Sequence, residues 1–87
     1  MEESMRKPVK YKFLDKFIEL GIAIAATRKL RGMSQEQLAE HAGISRVQLA
    51  LIESPNSPYS FSLETLFSIA DALNVSPVDL LSAKIPS

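Results

Sequence analysis

Met33-Ser34-Gln35-Glu36-Gln37-Leu38-Ala39-Glu40-His41-Ala42-Gly43-Ile44-Ser45-Arg46-Val47-Gln48-Leu49-Ala50-Leu51-Ile52-Glu53 is the stretch on which the fold turns. Ser34 is a good helix N-cap and Gln37 stands three residues on, the spacing of a capping box. Met33 and Leu38 then sit where a hydrophobic staple closes the first turn. Leu38, Ala39 and Ala42 form the buried side, and Gly43 ends the helix. Ile44 and Ser45 restart it at once. Gln48 takes the N3 position of a second expected capping box, with Ile44 and Leu49 as its staple. Leu49 and Ile52, three apart, face the core together, and Pro55 stops the helix near Ser54. A link as short as Ala42-Gly43-Ile44-Ser45 forces a sharp angle between the two helices. Ala39 is small enough to let the second helix approach the first.

Outward from this pair, the pattern stays helical. Phe13, Phe17, Leu20 and Ile24 recur at spacings of four, three and four, which marks one helical face. Leu14, Ile18 and Ile22 widen it, and Thr27 and Leu30 carry it toward Gly32. The spacing predicts a long helix from about Tyr11 to Arg31, with Arg28, Lys29 and Arg31 in its last turns complementing the dipole. Gly32 is the expected left-handed stop. Gly21, inside this helix, marks either a close helix crossing or a break. Downstream, residues 54–61 read as a loop. Ser62 caps a helix over 63–73 with Leu63, Leu66, Phe67, Ala70 and Leu73 as its apolar set, and Asn74 stops it. Ser76 caps a short fifth helix with Pro77 at N1 and Asp79 at N3. Leu80 and Leu81 are expected to close the core. No segment reads as a strand. The fold class is all-α, five helices, with residues 1–10 as a flexible basic arm, 11–83 as the domain around a motif at 34–53, and 84–87 as a tail.

Composition narrows the function. Eighty-seven residues hold one core and little volume for a ligand pocket. There is no cysteine and one histidine, His41, so neither a disulfide framework nor a histidine metal cluster is available. No nucleophile–base arrangement or glycine-rich phosphate loop is present. The expectation is a protein without catalytic activity or cofactor. No apolar run is long enough for a membrane span, and the N-terminus lacks a signal-peptide pattern, so a cytoplasmic protein is expected. Net charge is zero, which weighs against nucleic-acid binding, but the distribution is uneven. Residues 1–31 carry eight Lys/Arg against four acidic residues; residues 47–87 carry only Lys84 against four. One basic end fits a binding face on one side. The outer side of the helix after Gly43 has the width to enter a DNA major groove. Ordinary packing in a small helical bundle would use the same spacing.

Residues 24–81 resemble the phage-repressor type of helix-turn-helix, the Xre/Cro family. The resemblance rests on Ile24, Arg28, Gly32-Met33-Ser34-Gln35, Leu38-Ala39, Ala42-Gly43-Ile44-Ser45-Arg46 and Ile52-Glu53. After the loop it continues through Ser62-Leu63-Glu64-Thr65-Leu66, Ile69-Ala70, Leu73-Asn74-Val75 and Leu80-Leu81. It implies a five-helix, lambda-repressor-like DNA-binding domain with an extended first helix, often dimeric, often a transcriptional repressor or an antitoxin. The family match also implies a buried ion pair between Arg28 and Glu53, a structural role. It places Gln35 at the phosphate backbone, and Arg46, Val47, Gln48, Ala50 and Leu51 on the solvent-facing side of the recognition helix. With Ser34, Ser45 and Ser54 these give the expected DNA contacts: Ser34, Gln35, Ser45, Arg46, Val47, Gln48, Leu51 and Ser54. Arg46 suits a phosphate or a guanine edge, Gln48 an adenine unless held in its cap, and Val47 a thymine methyl.

Two departures stand out. Leu51 occupies a position often polar in the family, so Val47, Ala50 and Leu51 form an apolar patch on the expected reading face. It suits thymine methyls in an A·T-rich step, a protein partner such as a toxin, or the chain's own N-terminal extension. The 54–61 loop also lacks the Lys or Arg that the family often places there, and is longer than usual. Arg6, Lys7, Lys10 and Lys12 are the candidate compensation, as an arm around the duplex, although a solubilising tail needs the same charges. For a homodimer, Tyr59, Phe61, Val75, Val78 and Ile85 are candidate contacts, with Tyr11, Phe13 and Phe17 as an alternative set. The rival to a DNA-binding regulator is an interaction module on the same fold, an antitoxin or adaptor.

Overall fold

A computed structural model describes residues 13–83, which form five helices: α1 Leu14–Leu30, α2 Gln35–Ala42, α3 Arg46–Glu53, α4 Leu63–Leu73 and α5 Pro77–Leu81. The expected helix start at Tyr11 lies outside the described residues. Phe13 stands at the N-cap of α1 without a side-chain cap, as its ring has no acceptor to offer.

The boundaries follow local chemistry. The side chains of Ser34, Ser45, Ser62 and Ser76 each accept a hydrogen bond from an amide in the first turn of the helix they precede. At Ser34 and Ser76 the bond is reciprocated by Gln37 and Asp79, completing two capping boxes. At Ser45 only half the expected box forms: Ser45 Oγ accepts from the Gln48 amide at 3.0 Å, but the Gln48 side chain does not return the bond. Gly43, at φ 72°, turns the chain between α2 and α3 in the left-handed region, where a Cβ is strained. Asn74 makes the same turn after α4 at φ 60°, one of the few side chains that tolerate it.

The core draws on all five helices. Ile24, Leu38, Leu49, Ile69 and Leu73 are fully buried, and Leu80 of α5 closes one end. α2 packs on α3 and α4, while α1 packs on α3 and α5. The α1–α3 crossing explains Gly21, which marks a close approach and not a break: α1 runs through it unbroken, and a Cβ there would overlap the Ile52 carbonyl. Aromatics of the long loop turn inward. Phe61 meets Phe17 edge-on, with centroids 5.3 Å apart, and Tyr59 packs against the core.

Several apolar residues expected inside lie outside. Leu30 (88% exposed), Leu63 (65%), Phe67 (52%) and Leu81 (61%) continue the helical spacing but stay largely in solvent, Leu63 and Leu81 at the border of a hollow they share with Phe17 and Phe61. The last-turn cations of α1 also depart from a simple dipole role. Arg28 is buried in an ion pair. Arg31 reaches across to α4, donating from Nε to the Leu73 carbonyl at 2.9 Å, where it satisfies a C-terminal carbonyl of another helix.

Candidate nucleic-acid interface

The surface of interest begins with what holds α3. Arg28 on α1 and Glu53 at the end of α3 are buried, at 9% and 8% exposure. They meet in a two-point bridge: Nε donates to Oε2 at 2.8 Å and Nη2 to Oε1 at 3.0 Å. Arg28 Nη1 donates to the Met33 carbonyl at 2.8 Å, and Gln35 Nε2 donates to Glu53 Oε1 at 2.9 Å. One guanidinium thus joins α1, the α1–α2 turn and α3, and the amide of Gln35 adds the start of α2. Among the described residues, no buried side-chain nitrogen or oxygen lacks a partner. Burial of two charges is tolerated here because each is paired and hydrogen-bonded.

Held this way, α3 presents one side to the core and the other to solvent. At 3.6 residues per turn, Leu49, Ile52 and Glu53 share the buried side, while Val47 and Leu51 fall within an arc of about 40° on the opposite one and Gln48 lies at its edge. Val47 is 64% exposed and Leu51 38%. Arg46 is exposed at the first turn and joins no ion pair among the described residues. Gln48 is half-buried; its backbone amide donates to Ser45, and its side-chain amide makes no hydrogen bond among the described residues. Ser34 and Ser45 are exposed and engaged as caps. Ser54, half-buried, ends α3, its amide donating to the Leu51 carbonyl at 3.3 Å.

Gln35 differs most from its expected setting. It is half-buried and one Nε2 hydrogen is committed to Glu53, which leaves the second for an acceptor in solvent. The sequence carried no signal for this bond, because eighteen residues separate its ends. Nor did it carry one for the reach of Arg31 to α4. Arg6, Lys7, Lys10 and Lys12 lie outside the described residues, as do Tyr11 and Ile85. Among the described residues no cluster of His, Cys, Asp or Glu is arranged to hold a metal ion, and no helix is long and apolar enough to cross a membrane.

A family model described as helix-turn-helix matches residues 24–80. Among solved structures, the chain is similar to the restriction-modification controller protein C.AhdI from Aeromonas hydrophila. The two are 28% identical with a TM-score of 0.68, over 74% of this chain and 94% of that one. No curated protein sequence matches. The match spans more than half of the chain and contains both the Gly43 corner and the Arg28–Glu53 bridge; the protein therefore belongs to the helix-turn-helix family, as an Xre/Cro-like regulatory domain, a kind that is not enzymatic, with a fold consistent with a DNA-binding role.

Proposed function

We propose that the protein binds specific sites on double-stranded DNA as a homodimer and represses transcription, with α3 lying in the major groove. The observation that carries this reading is the bare outer side of α3, fixed in orientation by the Gly43 turn and the Arg28–Glu53 bridge. The start of α2 fits the phosphate backbone. Ser34 caps the Gln37 amide, and the earlier amides of the helix are free to meet an anion, with the second Nε2 hydrogen of Gln35 beside them. Ser45, Arg46 and Ser54 take backbone contacts at the two ends of α3, and Arg46 also has the reach for a guanine edge. Val47, Gln48 and Leu51 face the bases. The basic segment Arg6, Lys7, Lys10 and Lys12 adds charge that the 54–61 loop lacks. Similarity to a restriction-modification controller protein supports a controlling role for this chain.

For the dimer, the exposed apolar residues of the last two helices are the best-supported surface: Leu63 and Phe67 on α4, Val78 and Leu81 on α5. Tyr59, Phe61 and Val75 are less suited to it, because they pack against the core. Titration of labelled random duplex at increasing salt tests the reading. Binding at low salt that weakens steeply as salt rises is expected, since each phosphate neutralised by a cation releases counterions. Absence of binding at low salt would favour the second reading, a protein-binding module such as an antitoxin, for which the solvent-facing Val47 and Leu51 are the supporting observation.

A further inference from the structure

We propose that α3 reads the 5-methyl groups of pyrimidines through Val47 and Leu51, with Gln48 hydrogen-bonding an adenine edge beside them. The inference rests on the DNA-binding reading above and names what that site selects. On the outer side of α3 past its first residue, the two exposed side chains, Val47 and Leu51, are aliphatic, and the half-buried Gln48 at the edge of that side carries an amide with no hydrogen bond among the described residues. Glu53, the helix's single carboxylate, is turned inward and paired with Arg28. The reading face therefore offers no acceptor charge to a cytosine amine, and its one cation, Arg46, stands at the end and not in the middle.

The major-groove floor gives such a face few partners. The apolar group exposed there is the methyl on C5 of thymine, which cytosine matches only when methylated. An aliphatic side chain pressed against guanine O6 and N7, or against the cytosine amine, would strip those groups of water and return no hydrogen bond. Selection thus works in both directions, toward a methyl and away from an unmethylated G·C pair. The spacing fits as well. Val47 and Leu51 are four residues apart, about 6 Å along the helix axis. That is close to two base-pair steps at about 3.4 Å each. Gln48 lies at the edge of the same side, where its amide matches the acceptor and donor of adenine N7 and N6.

The test begins with selection of binding sites by the intact chain from duplex libraries with a random core, one made with cytosine and one with 5-methylcytosine. Each thymine of an enriched site is then replaced singly by deoxyuridine, which removes the methyl alone, and affinity is followed by fluorescence anisotropy. The expected result is a loss of about fourfold at each contacted methyl. V47A and L51A, both at exposed positions, should each abolish the sensitivity at one of those positions. Enrichment from the 5-methylcytosine library alone would support the same chemistry with methylated cytosine as its source. An enriched site indifferent to every 5-methyl group would overturn the inference and leave DNA binding standing. No enrichment together with no salt-sensitive binding would overturn both.

Discussion

Substitution of Gly21 by alanine sets two physical effects of opposite sign against each other. Helix propensity alone favours the change, since alanine in a helix interior is more stable than glycine by about 0.5–1 kcal/mol. The tertiary structure opposes it. The new Cβ would overlap the carbonyl oxygen of Ile52, a backbone atom of α3 that has no rotamer to escape into. α3 must then retreat from α1, and the retreat loosens Leu49 and Ile52, at 0% and 2% exposure, and stretches the 2.8 Å Arg28–Glu53 bond. Overpacking of this kind costs about 1–3 kcal/mol, and a broken buried ion pair up to about 3–5 kcal/mol. Even with the pair only partly weakened, the balance is a net loss of about 2 kcal/mol. At about 4–8 °C per kcal/mol for a domain of this size, Tm should fall by roughly 8–16 °C. Thermal and urea unfolding followed by circular dichroism measure this directly. Ala26→Gly is the control: it lies exposed on the same helix and should cost only the propensity difference, about 1 kcal/mol. Two opposite exchanges on one helix should therefore both destabilise. A Gly21→Ala protein with a higher melting temperature than the parent would refute the close crossing.

Arg28→Met should cost about 3–5 kcal/mol by leaving the Glu53 carboxylate buried and alone, and adding Glu53→Met should recover part of that loss; strictly additive costs in urea unfolding would contradict the pair. Arg46→Ala should leave stability within about 0.5 kcal/mol, because the residue is exposed, yet reduce the salt slope of duplex binding by about 1 per protomer. An unchanged slope would remove Arg46 from the interface. Leu63→Asp with Phe67→Asp should convert a dimer to a folded monomer in sedimentation, whereas an unaltered mass would move the dimer surface elsewhere. Replacing Arg6, Lys7, Lys10 and Lys12 with alanine should make the salt slope shallower by up to about 4 per protomer if all four reach phosphates, and binding identical to the parent would mark them as a tail.

The starts of four helices, α2 to α5, were legible in the chain because those boundaries are local. A serine hydroxyl caps the first turn of α2, α3, α4 or α5 within two or three residues of itself, and Gly43 and Asn74 turn the chain by their own conformational preferences. The core side of α3 was equally legible, since Leu49 and Ile52 share a face at any helical register. Tertiary structure decided the rest. Periodicity selects a face but cannot say whether another element covers it, so Leu30, Leu63, Phe67 and Leu81 look like core in the sequence and lie in solvent. Gly21 left a crossing and a break equally open until the Ile52 carbonyl was placed beside it. Gln35 joins Glu53 across eighteen residues and Arg31 reaches Leu73 across forty-two, contacts that depend on how whole helices dock. Short-range hydrogen bonds and backbone preferences are written in neighbouring residues; the partners of a long polar side chain are known only once the helices have packed.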